Sequence, residues 1–349
     1  MRIAAVEVIP YALAFREPYV TARGQLDRRE MVLLRLRDAD GLVGLGEAVP
    51  LSLRGGATLG QVVEELEGLG DLESLDEGTV TGETVHLSPP ARCAVLTALM
   101  DLRGRQAAAA HPAPPGTAQP VLCNATLVAG DPQAVAEDAL GWAEEGFSCF
   151  KLKLGVGDDI EQVRAVREAV GTEAQIRIDV NGAWDVATAK EALAELEPLE
   201  IELAEQPVAT LEEAAEVASS TSIPLAGDES VTSRLDAEQA VKIGACGLAG
   251  VKLSKVGGPE EAIEIAEVLP SYLSSALDGP VGIAAAAQVA QTLSEAGGQA
   301  LAHGLATQRL FASTIAAVEC ELRDGMLHPP EGPGLGVEID EAALDAHRI

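Results

Sequence analysis

Lysine is nearly absent from this chain: its 349 residues include six. Aromatic residues are almost as scarce, at 3%, so Ala, Val, Leu and Ile must fill the core. Positive charge is short overall, with 24 Lys+Arg against 55 Asp+Glu and a net charge of −31. Nothing here could neutralise a phosphate backbone, which argues against a nucleic-acid partner. The same deficit argues against an anionic membrane surface. No apolar run approaches the length of a bilayer span. The first ten residues are interrupted by Glu7 and Pro10 and do not read as a signal peptide. Cys93, Cys123, Cys149, Cys246 and Cys320 are widely spaced, with no Cys-x-x-Cys or Cys/His cluster. Neither a zinc site nor a disulfide framework is supported, and buried free thiols in the cytoplasm are expected. His86, His111, His303, His328 and His347 form no set of usable spacing.

What remains is an ordinary globular composition, 47% hydrophobic, long enough for one large domain and a smaller one. The acidic excess is spread along helices and reads as a solubilising surface. Residues 1–115 read as an α+β unit, with strands over 3–11, 30–37 and 42–48 and a hairpin turn at 38–41. Segments 16–27 and 49–58, which carry Pro18, Gly24, Pro50, Gly55 and Gly56, are expected to be mobile loops. A helix opens at Ser88 and runs to about residue 105, and the proline-rich run at 111–116 makes a linker. From residue 121 short apolar strands alternate with Ala/Glu-rich helices. The strands are expected at 121–126, 149–154, 175–179, 201–205, 223–226, 250–253, 271–276 and 299–304. Strict βα alternation of this period implies a closed parallel (β/α) barrel over 116–323. Residues 324–349 read as an irregular tail that must pack elsewhere.

Four of the six lysines crowd into two motifs. Lys151 and Lys153 lie in Phe-Lys-Leu-Lys-Leu-Gly; Lys252 and Lys255 lie in Val-Lys-Leu-Ser-Lys-Val-Gly-Gly. Between them come Asp179 and Asn181, then Glu205, then Asp228 and Glu229, each at an expected C-terminal strand end and 23 to 26 residues from the next. Catalytic groups of a parallel barrel project from those ends. Each element alone is compatible with a snorkelling lysine or a core salt bridge; five in order argue against that reading. Three carboxylates on adjacent strand ends form a hard, all-oxygen set suited to Mg²⁺. With lysines on both flanks, such a site can remove a proton α to a carboxylate.

This order closely resembles the enolase superfamily, and within it the muconate-lactonizing subgroup. The resemblance covers almost the whole chain and implies a modified TIM (β/α) barrel with an N-terminal α+β capping domain and a C-terminal segment returning to the cap. It implies Asp179, Glu205 and Asp228 as ligands of Mg²⁺, with Mn²⁺ as a substitute. It sets Lys153 and Lys252 across the substrate, Lys151 in support, and Asn181 and Glu229 behind the ligands. Lys255 is expected to be structural. The loops at 16–27 and 49–53 would close over a small carboxylate substrate.

Residues 273–284, Leu-Ser-Ser-Ala-Leu-Asp-Gly-Pro-Val-Gly-Ile-Ala, look like the seventh-strand motif of o-succinylbenzoate synthases. Residues 302–307, Ala-His-Gly-Leu-Ala-Thr, look like their eighth-strand segment, with Ala306 where a second glycine is usual. Dipeptide epimerases carry Asp-x-Asp there, and this chain does not. Muconate cycloisomerases usually have glutamate where Asp278 stands. The implied activity is a Mg²⁺-dependent carbon–oxygen lyase of menaquinone biosynthesis, dehydrating a cyclohexadiene carboxylate, with Arg23, Ser275, Asp278 and His303 as substrate contacts. N-acylamino-acid racemase, muconate cycloisomerase and dipeptide epimerase activities are the alternatives, and a catalytically silent metal-binding barrel is the non-enzymatic one. A homo-oligomer is compatible with all of them.

Overall fold

The computed structural model describes residues 2–21, 24–51, 55–71, 75–110, 118–155, 157–295 and 301–349. Four antiparallel strands open it: β1 (Arg2–Thr21), β2 (Gly24–Asp38), β3 (Val43–Ala48) and β4 (Leu75–Asp76), in spatial order β3-β2-β1-β4. The expected loop at 16–27 is instead the far end of the β1–β2 hairpin, paired through Tyr19↔Leu26, Val20↔Gln25 and Thr21↔Gly24. Pro18 falls in the register shift between Ala14 and Tyr19, where no ladder N–H is needed. Tyr19, expected to be exposed, is buried, because its ring stacks on Phe15 at 5.5 Å and Phe15 stacks on Phe311 at 5.0 Å. Arg23 lies outside the described residues, as do 52–54 of the second expected loop and the linker at 111–117.

Helices α1 (Leu59–Glu67), α2 (Glu77–Glu83) and α3 (Pro89–Ala110) complete this layer. The last of them outruns its expected end through four alanines, the strongest helix formers. Strand alternation gives the sheet two apolar faces. Val32, Leu34 and Leu36 pack under α1 and α3, whereas Met31 and Leu33 join the core of the following domain. The helix lies so close on β3 that a Cβ on Gly46 would come 1.9 Å from the Ala94 carbonyl oxygen.

The barrel follows. The expected strand at 121–126 splits into β5 (Val121–Leu122) and β6 (Ala125–Leu127). After α4 (Pro132–Glu144) come β7 (Cys149–Lys153), α5 (Asp159–Val170), β8 (Gln175–Asp179), α6 (Val186–Leu196), β9 (Ile201–Glu205), α7 (Leu211–Ala218), β10 (Leu225–Gly227), α8 (Arg234–Ile243) and β11 (Leu248–Val251). A short α9 (Leu253–Val256), α10 (Pro259–Val268), β12 (Ser271–Leu273) and α11 (Pro280–Glu295) finish the series. Strands β6 to β12 form one parallel sheet. Residues 299 and 300 of the expected eighth strand lie outside the described residues; the rest of it makes two parallel bridges, Cys123↔His303 and Ser274↔Gly304, one to each edge of the sheet, which close the barrel.

The tail is regular: β13 (Ala316–Val318), β14 (Glu321–Arg323), β15 (Met326–His328), β16 (Glu338–Ile339) and α12 (Glu341–His347). Strand β15 pairs with both β14 and β5, so the expected boundary after 323 falls in a hairpin turn. The tail also reaches the first sheet, through Arg35–Glu341 at 2.7 Å and a bridge between Tyr11 and Arg348. Among the described residues no helix is long and apolar enough to cross a membrane. The five cysteines are free, and burial pushes Cys93, Cys123, Cys149 and Cys320 up to about 12.

Candidate active site

Strand geometry brings the ionisable side chains together. Lys151 and Lys153 are two apart on β7 and face the same way, into the barrel. Lys153 Nζ lies 2.5 Å from Asp179 Oδ2 and 3.2 Å from Asn181 Oδ1. Lys151 Nζ lies 2.9 Å from Asp179 Oδ2 and 2.6 Å from Glu205 Oε2. On the opposite flank Lys252 pairs with Asp228 Oδ2 and stands 3.8 Å from Glu205 Oε1. Lys255, expected to be structural, also reaches the Asp228 carboxylate and carbonyl. Asn181 Nδ2 donates to Glu229 Oε1 at 3.2 Å, so the pair expected behind the ligands is joined.

Asp179, Glu205 and Asp228 are fully buried. Burial pushes the Asp179 carboxyl up, but Lys151, Lys153 and Lys252 outweigh it and hold the group well below the carboxylate range. Burial pulls Lys151 down, and Asp179 and Glu205 outweigh that to raise it above the usual lysine value. Turns after the barrel strands are strained. Gln206, the residue after β9, and Asn181, two residues past β8, adopt φ of 42° and 51°, and Leu277, four residues past β12, adopts 67°. Gln206 then pins the next turn, its Oε1 accepting from Asp228 N at 2.8 Å and Ser230 Oγ at 2.9 Å.

The donor set fits a hard divalent cation. Three carboxylates from β8, β9 and the turn after β10 converge on one end of the barrel, and Glu205 Oε1 is buried without a hydrogen-bond partner. Each carboxylate is turned onto an ammonium group, so among the described residues no three acidic, His or Cys groups stand in a ready cage. A cation there would share these carboxylates with the lysines.

The expected substrate contacts are placed less uniformly. Ser275 and Asp278 meet, with Ser275 Oγ donating to Asp278 Oδ2 at 2.7 Å, and Ala276 N donates to the same oxygen at 2.7 Å. His303 faces the barrel wall, its Nδ1 accepting from Leu273 N at 2.9 Å. Burial, then the nearby Arg177, lowers it to about 4, so the ring is neutral with its proton on Nε2. Three residues had no place in the sequence reading. Tyr272 donates to Glu205 Oε2, and Arg177 stacks over the Tyr272 ring at 4.8 Å. From the first sheet, Glu47 accepts from Gly279 N at 2.6 Å and from Tyr11 OH at 2.8 Å, at the start of α11. Only the adjacency of Gly279 to Asp278 could have hinted at the last contact.

Two family models match: the mandelate racemase/muconate lactonizing enzyme N-terminal domain over residues 3–110, and the enolase C-terminal domain-like family over 134–343. A hydrophobic dipeptide epimerase of Enterococcus faecalis is 31% identical, covering 83% of this chain and 87% of its own. An o-succinylbenzoate synthase of Thermobifida fusca is 37% identical over 67% of this chain and 72% of its own. The solved structure of a dipeptide epimerase from Enterococcus faecalis V583, complexed with Mg and L-Leu-L-Tyr, superposes with a TM-score of 0.86 at 28% identity, covering 97% of this chain and 100% of that one.

Proposed function

The chain belongs to the mandelate racemase/muconate lactonizing enzyme family, in the muconate-lactonizing subgroup of the enolase superfamily, and we propose that within it this protein is a Mg²⁺-dependent lyase of the o-succinylbenzoate synthase type. The observation that carries the chemistry is the placement of Lys153 and Lys252 on opposite flanks of three fully buried carboxylates. The choice of lyase rests on the 37% identity to such a synthase and on the eighth segment. Where dipeptide epimerases carry Asp-x-Asp, this chain has Gly304, Leu305 and Ala306, with the latter two buried and apolar, so nothing there would hold an ammonium group.

A cation held by Asp179, Glu205 and Asp228 would supply positive charge against the enediolate that forms from the substrate carboxylate. Lys153, in its neutral form and released from Asp179, takes the α-proton of the cyclohexadiene carboxylate. The electron pair of that C–H bond moves into the carboxylate. Lys252 stays an ammonium and balances the new charge across the site. As the enediolate collapses, the C–O bond to the ring hydroxyl breaks, and the Lys153 ammonium returns its proton to the departing oxygen. The products are an aromatic carboxylate and water, and Lys153 is neutral again. This reaction would place the protein in menaquinone biosynthesis, in the cytoplasm.

Incubation with the cyclohexadiene carboxylate should give the ultraviolet absorbance of an aromatic product, and its absence with Mg²⁺ present would sink the proposal. The same pair of facing lysines supports N-acylamino-acid racemisation as a second reading. Lys252→Arg separates the two: a racemase needs proton transfer at that position and loses turnover, whereas the lyase needs only a fixed charge. A silent barrel would show neither activity, nor exchange of a substrate α-proton in D₂O.

A further inference from the structure

Two donors converge on one oxygen of Glu205. Lys151 Nζ lies 2.6 Å from Oε2, and the Tyr272 hydroxyl donates to the same atom. Oε1, fully buried, receives no hydrogen bond and lies on the side of Lys252, 3.8 Å away. A carboxylate saturated on one oxygen and bare on the other is fixed in rotation and presents a single lone-pair face. We propose that Tyr272 is a positioning residue: it holds Glu205 so that Oε1 alone is offered to the cation, and Gly250 is the position that lets it do so.

The phenol has no freedom to serve otherwise. Its ring is fully buried among Leu203 and Ala226, and the Arg177 guanidinium covers it at 4.8 Å. Arg177 is itself clamped, with Nε 2.5 Å from Glu202 Oε2 and Nη1 2.6 Å from the Ala302 carbonyl. Glu202 reaches that layer because the β8–β9 register slips between Ile176 and Arg177, placing an extra residue on β9. On the neighbouring strand, a Cβ at Gly250 would stand 2.9 Å from the Tyr272 hydroxyl and 3.3 Å from Glu205 Cδ. Even one methyl there would push the phenol off the carboxylate. Groups that orient a metal ligand typically change metal affinity about 10–100-fold when removed.

The inference rests on the assignment of Glu205 as a cation ligand, and the test separates the two. Mg²⁺ alone is titrated by calorimetry into the full chain, into Tyr272→Phe and into Gly250→Ala, with thermal melting recorded for each. Tyr272→Phe keeps the ring and deletes the hydroxyl, so it should melt near the wild type yet bind Mg²⁺ about 10–100-fold more weakly. Gly250→Ala, which keeps the hydroxyl but displaces it, should weaken binding in the same direction. Wild-type affinity in both variants would overturn the role of Tyr272 and leave the ligand assignment standing. Failure of the wild-type chain to bind Mg²⁺ would overturn both.

Discussion

Lys153 and Asp179 form a contact of 2.5 Å between β7 and β8, both side chains being almost wholly buried. The proposed base is thus held against a proposed metal ligand, so proton abstraction and cation binding draw on the same carboxylate. Removing Lys153 deletes the proton acceptor and the acid that assists loss of the hydroxyl. General acid–base catalysis is typically worth about 10²–10⁴-fold, and two roles on one group should exceed the lower bound. Lys153→Ala should therefore lose at least about 100-fold in kcat while still binding Mg²⁺ and substrate. Near-wild-type turnover in that variant would reassign the base.

Chelation should abolish turnover and leave the fold in place. The three carboxylates are already matched by ammonium groups, with Lys151 on Asp179 and Glu205 and both Lys252 and Lys255 on Asp228. Withdrawing a cation therefore exposes no uncompensated buried charge. Circular dichroism should be unchanged after exhaustive dialysis against chelator, and added Mg²⁺ should restore activity. Full turnover in excess chelator would exclude the metal.

Asp228→Ala should be far more damaging to the fold than chelation. It strips two buried lysines of their carboxylate at once. Breaking a single buried ion pair costs about 3–5 kcal/mol, so a large fall in melting temperature is expected. Asp228→Asn, which keeps an acceptor, should fall less. Equal melting of both variants and the wild type would show that these contacts do not contribute to stability.

How much of this was legible in the sequence depended on locality. Strands 175–179 and 201–205 were read with their observed bounds, because each sets Ile or Leu at alternate positions, ends in an acidic residue and is followed by a turn. The eighth strand was not, because its described residues make two bridges rather than a run. The β1–β2 hairpin was missed because Pro18 and Gly24 are the signals of a loop, and only tertiary stacking of Phe15, Tyr19 and Phe311 overrides them. In the site, the charged residues announced themselves by recurring at strand ends. Tyr272 did not, since one aromatic in an apolar strand looks like core and its partner Glu205 is 67 residues away. The contact of Lys255 with Asp228 was not legible either, because it depends on the turn of α9 after Lys252, which carries Lys255 back onto that carboxylate.

The contact between the first sheet and the barrel should make stability fall as pH rises. Burial, then the charge of Asp278, raises Glu47 from 4.5 to about 8, against the hydrogen bonds from Tyr11, Gly279 and Val281. Between those limits the folded chain holds a proton that the unfolded chain has lost, so each increase in pH favours unfolding, by at most about 1.4 kcal/mol per pH unit. His303 works in the opposite direction. Burial and Arg177 lower it from 6.5 to about 4, so in that interval the unfolded chain holds the extra proton and stability is lost as pH falls. The two slopes oppose each other below pH 6.5, and above it only that of Glu47 remains. Melting temperature should therefore drop between pH 6.5 and 8 in the wild type. In Glu47→Gln, which keeps an oxygen for Gly279 N and can still meet Tyr11, the drop should be much smaller. An identical slope in wild type and variant would show that Glu47 is already ionised in the folded chain at neutral pH, held so by the amides at the start of α11.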